Sequence, residues 1–239
     1  MSGTGEHLVR SFDQALGKLR ALLTDMGGLV ESQIAMATEA ILQHDTSSVA
    51  AVLETDKNVD ALEQEVETNV IHLLALRQPM ADDLRHVIAA LKISAILERV
   101  GDYAKNIAKR AIVLNQLGTP IKLASLAHLS QQVQRSMQAI VTTINTGDIP
   151  TIIRVWRGDQ EADELYNAIF RELLTYMMED PRNITACTHL LFIAKNLERI
   201  GDQATNIAEI LHYAVLGEVL HEARPKGENS SYDVIFPKD

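Results

Sequence analysis

The chain has 239 residues, of which 46% are hydrophobic and only 4% aromatic, and its formal net charge is −10. This length suffices for one large or two ordinary domains, and the acidic balance argues against nucleic-acid binding, which needs a basic surface. The single cysteine, Cys187, excludes an intrachain disulfide and favours a reducing compartment. No apolar run approaches the ~20 residues that span a bilayer, and residues 1–7 lack the apolar run of a signal peptide. We therefore expect a cytoplasmic protein.

Long amphipathic helices account for most of the chain. Apolar residues recur at three- and four-residue spacing, and four of the six prolines separate the periodic segments, because proline interrupts helix interiors. The pattern predicts an all-α protein with helices at 6–43, 46–77, 81–117, 121–146, 150–178 and 182–216. Asp45 or Thr46 is a candidate cap for the second helix and Asp180 for the sixth. The polar segment 218–239 predicts a mobile tail.

A twelve-residue motif occurs twice, 100 residues apart. It reads LERVGDYAKNIA at 97–108 and LERIGDQATNIA at 197–208. An acidic pair repeats as well, with Asp56 and Asp60 matching Asp159 and Asp163 at an offset of 103. A difference of three residues at the intervening turn is what a duplication tolerates. The sequence therefore predicts two tandem three-helix bundles, at 6–117 and 118–217.

Each half places four carboxylates at matched levels of a helical hairpin. Counted from the turn between the second and third helices at ~1.5 Å per residue, Asp60 lies level with Glu98, and Asp56 lies level with Asp102. In the other half, the same count places Asp163 level with Glu198 and Asp159 level with Asp202. We call these groups the first set (Asp56, Asp60, Glu98, Asp102) and the second set (Asp159, Asp163, Glu198, Asp202).

Like-charged residues at i, i+4 repel each other, and a cation would relieve the repulsion in both sets. Oxygen-only ligands suit Mg, Mn, Ca or iron. Asn106 and Asn206 continue the acidic stripe and are candidate supporting ligands, whereas Arg99 and Arg199 point elsewhere and could pair with acids on a neighbouring helix. The competing interpretation is that all these acids form solvated helix faces, as we expect for Glu63, Glu65 and Glu67. Trp156, Tyr166 and Cys187 are expected to serve packing.

The doubled motif, together with the corner LRQPMADDLR at 76–85, resembles the PhoU family of phosphate-specific transport system accessory proteins over residues 8–217. The resemblance implies two three-helix bundles, a homodimer, and iron or zinc clusters held by the eight carboxylates of the two sets. It also implies a cytoplasmic, non-catalytic negative regulator of phosphate uptake and of the phosphate-starvation response. Such a regulator links the phosphate ABC transporter to its sensor histidine kinase and reaches the membrane only through these partners.

Two alternatives remain open. A carboxylate-bridged di-metal oxidase on a four-helix bundle usually needs Glu-x-x-His pairs, and we expect none on the two motif helices. A helical scaffold without metal would use the same acids only as surface charge. Among metals, iron, zinc, manganese and magnesium all remain candidates.

Overall fold

The computed structural model describes residues 3–77, 79–118 and 123–220, and their regular structure is entirely helical. The elements are α1 (Gly3–Leu42), α2 (Val49–Arg77), α3 (Asp82–Leu117), α4 (Ala124–Thr146), α5 (Ile149–Arg157), α6 (Asp159–Glu179), a 3-10 turn (Pro181–Asn183) and α7 (Ile184–Leu216). None of the helices in these ranges is long and apolar enough to cross a membrane.

The helices form two bundles that lie side by side. In the first bundle α1, α2 and α3 pack against one another, and in the second α4, α5 and α6 pack around α7. The bundles meet where α3 packs against α7 and α1 packs against α4. The predicted all-α fold of two tandem three-helix bundles is therefore confirmed.

The repeated motif lies on the two central helices, α3 and α7. Its apolar positions are buried in both copies, namely Leu97, Val100, Ala104, Ile107 and Ala108 in α3 and Leu197, Ile200, Ala204, Ile207 and Ala208 in α7. Burial of these side chains supplies the main apolar driving force for packing. The motif thus fixes the rotation of each helix, which determines where its polar residues emerge.

The single helix predicted at 150–178 is wrong, because the chain forms α5 and α6 with Gly158 between them. Asp148 caps α5 by accepting the amide N–H of Thr151 at 3.1 Å. At the other end, the Gly158 amide bonds to the carbonyls of Arg154 and Val155. Glycine has a low helix propensity. The break separates the short α5, which buries Trp156 against α7, from α6, which packs against α4 and α7.

Two predicted caps act one turn earlier than expected. The Asp45 carboxylate accepts the Ser47 amide at 2.9 Å, in the turn before α2, and α2 starts at Val49 rather than at 46. Asp180 accepts the Arg182 amide at 2.9 Å and so caps the 3-10 turn that precedes α7.

Other expectations concern single side chains and the tail. Trp156 and Cys187 are buried, as predicted. Only residues 218–220 of the expected mobile tail are described; the Glu218 carbonyl lies 3.0 Å from Nδ1 of His212, and Leu220 packs against the core. The rest of that prediction, 221–239, lies outside the described residues, as does Gln78 at the predicted turn.

Candidate functional site

The first set lies between α2 and α3, and a lysine joins its two helices. Nζ of Lys105 is 2.5 Å from Oδ2 of Asp56 on α2 and 2.5 Å from Oδ1 of Asp102 on α3. Asp56 is only 7% exposed. Burial disfavours the charge on Lys105, but hydrogen bonds to Asp102 and Asp56 outweigh this and raise the pKa of the ammonium. Lys105 thus connects Asp56 and Asp102, the two acids that the residue count places at the same level of the hairpin.

The other acids of the first set repel each other across the same two helices. Burial, followed by the Asp56 carboxylate, raises the pKa of Asp60. Burial, followed by Asp102, Glu63 and Asp60, raises the pKa of Glu98. The structure therefore brings Asp60 and Glu98 close together. Glu63, expected to be plain surface charge, belongs to the same group: burial first, then Glu67 and Asp60, raises the pKa of Glu63.

The second set lies between α6 and α7 and is paired differently. Asp159, the first residue of α6, is 5% exposed and accepts a hydrogen bond from the Thr205 hydroxyl at 3.2 Å. Glu198 is 8% exposed, and its Oε1 accepts from the Lys195 ammonium at 2.8 Å. Its Oε2 is buried without a hydrogen-bond partner in the described part of the chain.

Electrostatics show that the remaining acids of the second set lie near Glu198. Burial raises the pKa of Glu198, and the Asp202 and Asp163 carboxylates raise it further against the opposing effect of Lys195. The carboxylates of Asp163 and Glu198, which the residue count places at the same level, therefore lie within electrostatic range of each other. The same holds for Asp60 and Glu98 in the first half.

Comparisons with known proteins find the same duplication. The family model of the PhoU domain matches the chain twice, at residues 23–111 and 126–211, and each match contains one of the two carboxylate sets. The chain belongs to the PhoU family. The motif helices α3 and α7 are thus equivalent elements of two PhoU domains.

Curated relatives extend the match over nearly the whole chain. A protein of Caulobacter vibrioides named phosphate-specific transport system accessory protein PhoU homolog is 52% identical over 222 residues, covering 92% of this chain and 96% of the relative. A Zymomonas mobilis protein of the same name is 46% identical and covers 93% of this chain and 94% of its own.

A solved structure confirms the fold of this PhoU family member. The crystal structure of PhoU from Pseudomonas aeruginosa superposes with a TM-score of 0.84 at 38% identity. The match covers 87% of this chain and 100% of that one.

The four predicted supporting residues are not equivalent in the structure. Arg99 and Asn106 are exposed on α3. Asn206 donates to Oε1 of Gln203 at 3.2 Å. The Arg199 guanidinium lies 5.8 Å from the centre of the Tyr103 ring, so this arginine contacts an aromatic ring of the other bundle.

One Glu-x-x-His pair was missed by sequence reasoning. Glu209 and His212 form such a pair on α7, just after the motif, so the expectation that the motif helices carry none is wrong. Both side chains are engaged away from the second set: Glu209 accepts from Nε1 of Trp156 at 3.0 Å, and His212 contacts the Glu218 carbonyl. The pair therefore serves packing at the end of α7.

The two sets differ in how well they fit the metal that the family implies. In residues 3–77, 79–118 and 123–220, no three side chains of His, Cys, Asp or Glu are arranged together as a complete metal site. The first set already holds an ammonium between its helices. The second set offers the partnerless Oε2 of Glu198, a buried anionic oxygen of the kind that hard cations bind. As they stand, neither set is a complete metal site among the described residues, and metal binding by the eight carboxylates stays a prediction.

Proposed function

We propose that this protein is a non-catalytic, cytoplasmic negative regulator of phosphate uptake and of the phosphate-starvation response. The observation that carries the proposal is the double PhoU-domain match, supported by relatives named as accessory proteins of phosphate-specific transport over more than nine-tenths of the chain. The regulator acts as an adaptor, as a homodimer, between the ATPase of the phosphate ABC transporter and the sensor histidine kinase.

The surface of the chain suits an adaptor. Several large apolar side chains are exposed on the ends and outer faces of the helices, among them Ile71, Leu76, Met80, Met178 and Phe192. Apolar side chains that remain exposed on a folded protein are typical of surfaces that meet other proteins when they form patches.

Gene deletion tests the regulatory role directly. In a strain without this protein, phosphate-starvation genes should stay on in phosphate-rich medium, and the wild-type gene should restore repression. Repression that persists in the deletion strain would contradict the role. Co-purification of the tagged chain with the transporter ATPase and with the sensor kinase, at high and low phosphate, tests the two partners separately.

Metal binding is a separate part of the proposal. We place a divalent metal at the second set, where Glu198 provides the buried oxygen, with Asp159, Asp163 and Asp202 as the other candidate ligands. Bound metal would supply positive charge to these acids. Elemental analysis of protein purified without chelator tests this part, and its failure would favour the metal-free scaffold without affecting the regulatory role.

A further inference from the structure

An apolar groove lies where the first turns of α3 meet the last turns of α7. It has a volume of about 540 Å³, and its walls include Leu84 and Ile88 on α3 and Ile210 and Tyr213 on α7. Leu84 is 39% exposed and Tyr213 is 45% exposed. Large apolar side chains that stay exposed side by side, with polar residues around them, are typical of a surface that another segment covers.

Two cations of α3, Arg85 and Lys92, line the same groove. The Arg85 guanidinium pairs through Nη2 with Asp82, whose side chain is 77% exposed, so this ion pair is weak. Nε of Arg85 has no hydrogen-bond acceptor in the part of the chain that the structure describes. The acid on the opposite wall, Glu209, accepts from Trp156. The groove therefore favours an occupant that brings a carboxylate together with apolar side chains.

The chain itself contains such a segment. Val219 lines the groove and Leu220 packs against the core, so the chain leaves the described region beside the groove. The sequence that follows is polar at 221–231, HEARPKGENSS, and mainly apolar at 232–236, YDVIF, where Asp233 is the one charged residue. Residues 221–231 can span about 35–40 Å when extended. The segment 232–236 can therefore reach every part of a groove that begins at Val219.

The covalent connection favours docking within one chain over docking on a second copy. A linker of this length gives the segment an effective concentration on the order of 1 mM at the groove. A second copy offers the same segment only at the molar concentration of the protein. An intrinsic Kd below about 1 mM is then enough for the docked form to predominate.

We propose that residues 232–236 dock in the groove between the start of α3 and the end of α7 of the same chain, with the Asp233 carboxylate beside Arg85 and Lys92. The apolar residues of the segment cover Leu84 and Ile88. This docking depends neither on metal nor on the regulatory role. While the segment is docked, this face of the molecule is closed to other proteins.

Trp156 can report on the groove, because its Nε1 donates to Glu209 at 3.0 Å and Glu209 lines the groove. Trp156 is the single tryptophan of the chain, and the single cysteine, Cys187, is buried. A nitroxide, which quenches tryptophan fluorescence at short range, can therefore be attached to Ser231→Cys in the full-length protein. Relative to the same variant with a label that does not quench, we expect more than about half of the Trp156 fluorescence to be lost, independently of dilution.

Further substitutions in the labelled protein test the contacts. Ile235→Asp, which touches none of the helices, should restore the fluorescence because it removes an apolar contact. Lys92→Glu and Asp233→Lys should each weaken the quenching, and the double variant should be quenched more than either single variant because the charge pair is rebuilt in reverse. Lys109→Glu, exposed on the same helix but outside the groove, is the matched control and should leave the quenching unchanged.

Three results would overturn the proposal. The first is labelled protein whose Trp156 fluorescence is not quenched. The second is quenching that Ile235→Asp and Lys92→Glu leave unchanged. The third is quenching that falls on dilution, which would place the segment on a second copy of the chain. Repression of the starvation genes is measured separately, so none of these results is confused with a failure of the regulatory role.

Discussion

Two adjacent glycines of α1 predict opposite effects of the same substitution. Gly27 is buried against α4 of the other bundle, whereas Gly28 is exposed. A Cβ atom added at Gly27 would lie 2.4 Å from Cγ1 and 2.8 Å from Cγ2 of Val141. A Cβ atom at Gly28 would meet nothing within 4 Å. The pair Gly27→Ala and Gly28→Ala therefore isolates the contact between the bundles from the helix propensity of alanine.

The expected magnitudes follow from these distances. Carbon atoms pack best at about 3.5–4.0 Å, so the Gly27→Ala methyl forces α1 and α4 apart by about 1 Å. Overpacking of this kind costs about 1–3 kcal/mol, while alanine gains about 1 kcal/mol over glycine in a helix interior. We expect Gly27→Ala to lower the free energy of unfolding by about 1 kcal/mol and Gly28→Ala to raise it by roughly 0.5–1 kcal/mol.

Urea unfolding followed by circular dichroism and by Trp156 fluorescence measures both variants. The first signal reports on all helices and the second on the α5–α7 contact, since Trp156 is buried there. Removing the opposing methyls supplies the decisive control: in the background of Val141→Ala, Gly27→Ala should no longer destabilise, which gives a coupling energy of about 1 kcal/mol or more. Equal stabilities of Gly27→Ala and Gly28→Ala, or no rescue by Val141→Ala, would refute the close approach of α1 and α4.

The remaining predictions concern charge and the motif glycines. Lys105→Met should lower the free energy of unfolding by about 2 kcal/mol, because it leaves a buried carboxylate unpaired; Lys57→Met, in an exposed pair, should leave the urea midpoint unchanged. Burial, followed by the positive charges of Arg20 and Arg85, lowers the pKa of His86 in the folded protein. The stability that depends on neutral His86 is therefore present above the unfolded pKa of about 6.5 and is lost as the pH falls through the folded pKa. Between pH 7 and pH 5, the urea midpoint should fall less in His86→Gln than in the wild type. Gly201→Ala should raise the free energy of unfolding by roughly 0.5–1 kcal/mol. Gly101→Ala should raise it less, because its methyl would lie 3.0 Å from Oε1 of Gln33; urea unfolding measures both variants.

The helices could be predicted from the sequence because their signals are local. Proline positions and apolar periodicity identified the long helices, and the repeated motif identified the tandem bundles. The break at Gly158 was missed because a single glycine is tolerated in many helices. It becomes a boundary here because α5 packs Trp156 against α7, and that contact is not visible in the local sequence.

The sequence predicted the heights of the site's acids along their helices, but not the lysines that pair with those acids. Counting along a helical hairpin places Asp56 near Asp102, since the rise per residue is constant. The count says nothing about side chains that reach the same point from the next turn. Lys105 follows Asp102 by three residues and Lys195 precedes Glu198 by three, a spacing that brings helical side chains together. Attention to these i, i+3 pairs would have revealed both lysines.

The seam between α3 and α7 has a mechanical consequence. The Arg110 guanidinium stacks 4.2 Å from the Phe192 ring centre and lies 3.2 Å from Nδ1 of His189, and Arg199 reaches back over Tyr103. These interlocked side chains, together with the close contact of Gly27 and Val141, oppose any hinge between the bundles. A protein that binds at one end of the molecule would therefore tilt the two PhoU domains together rather than bend the chain between them.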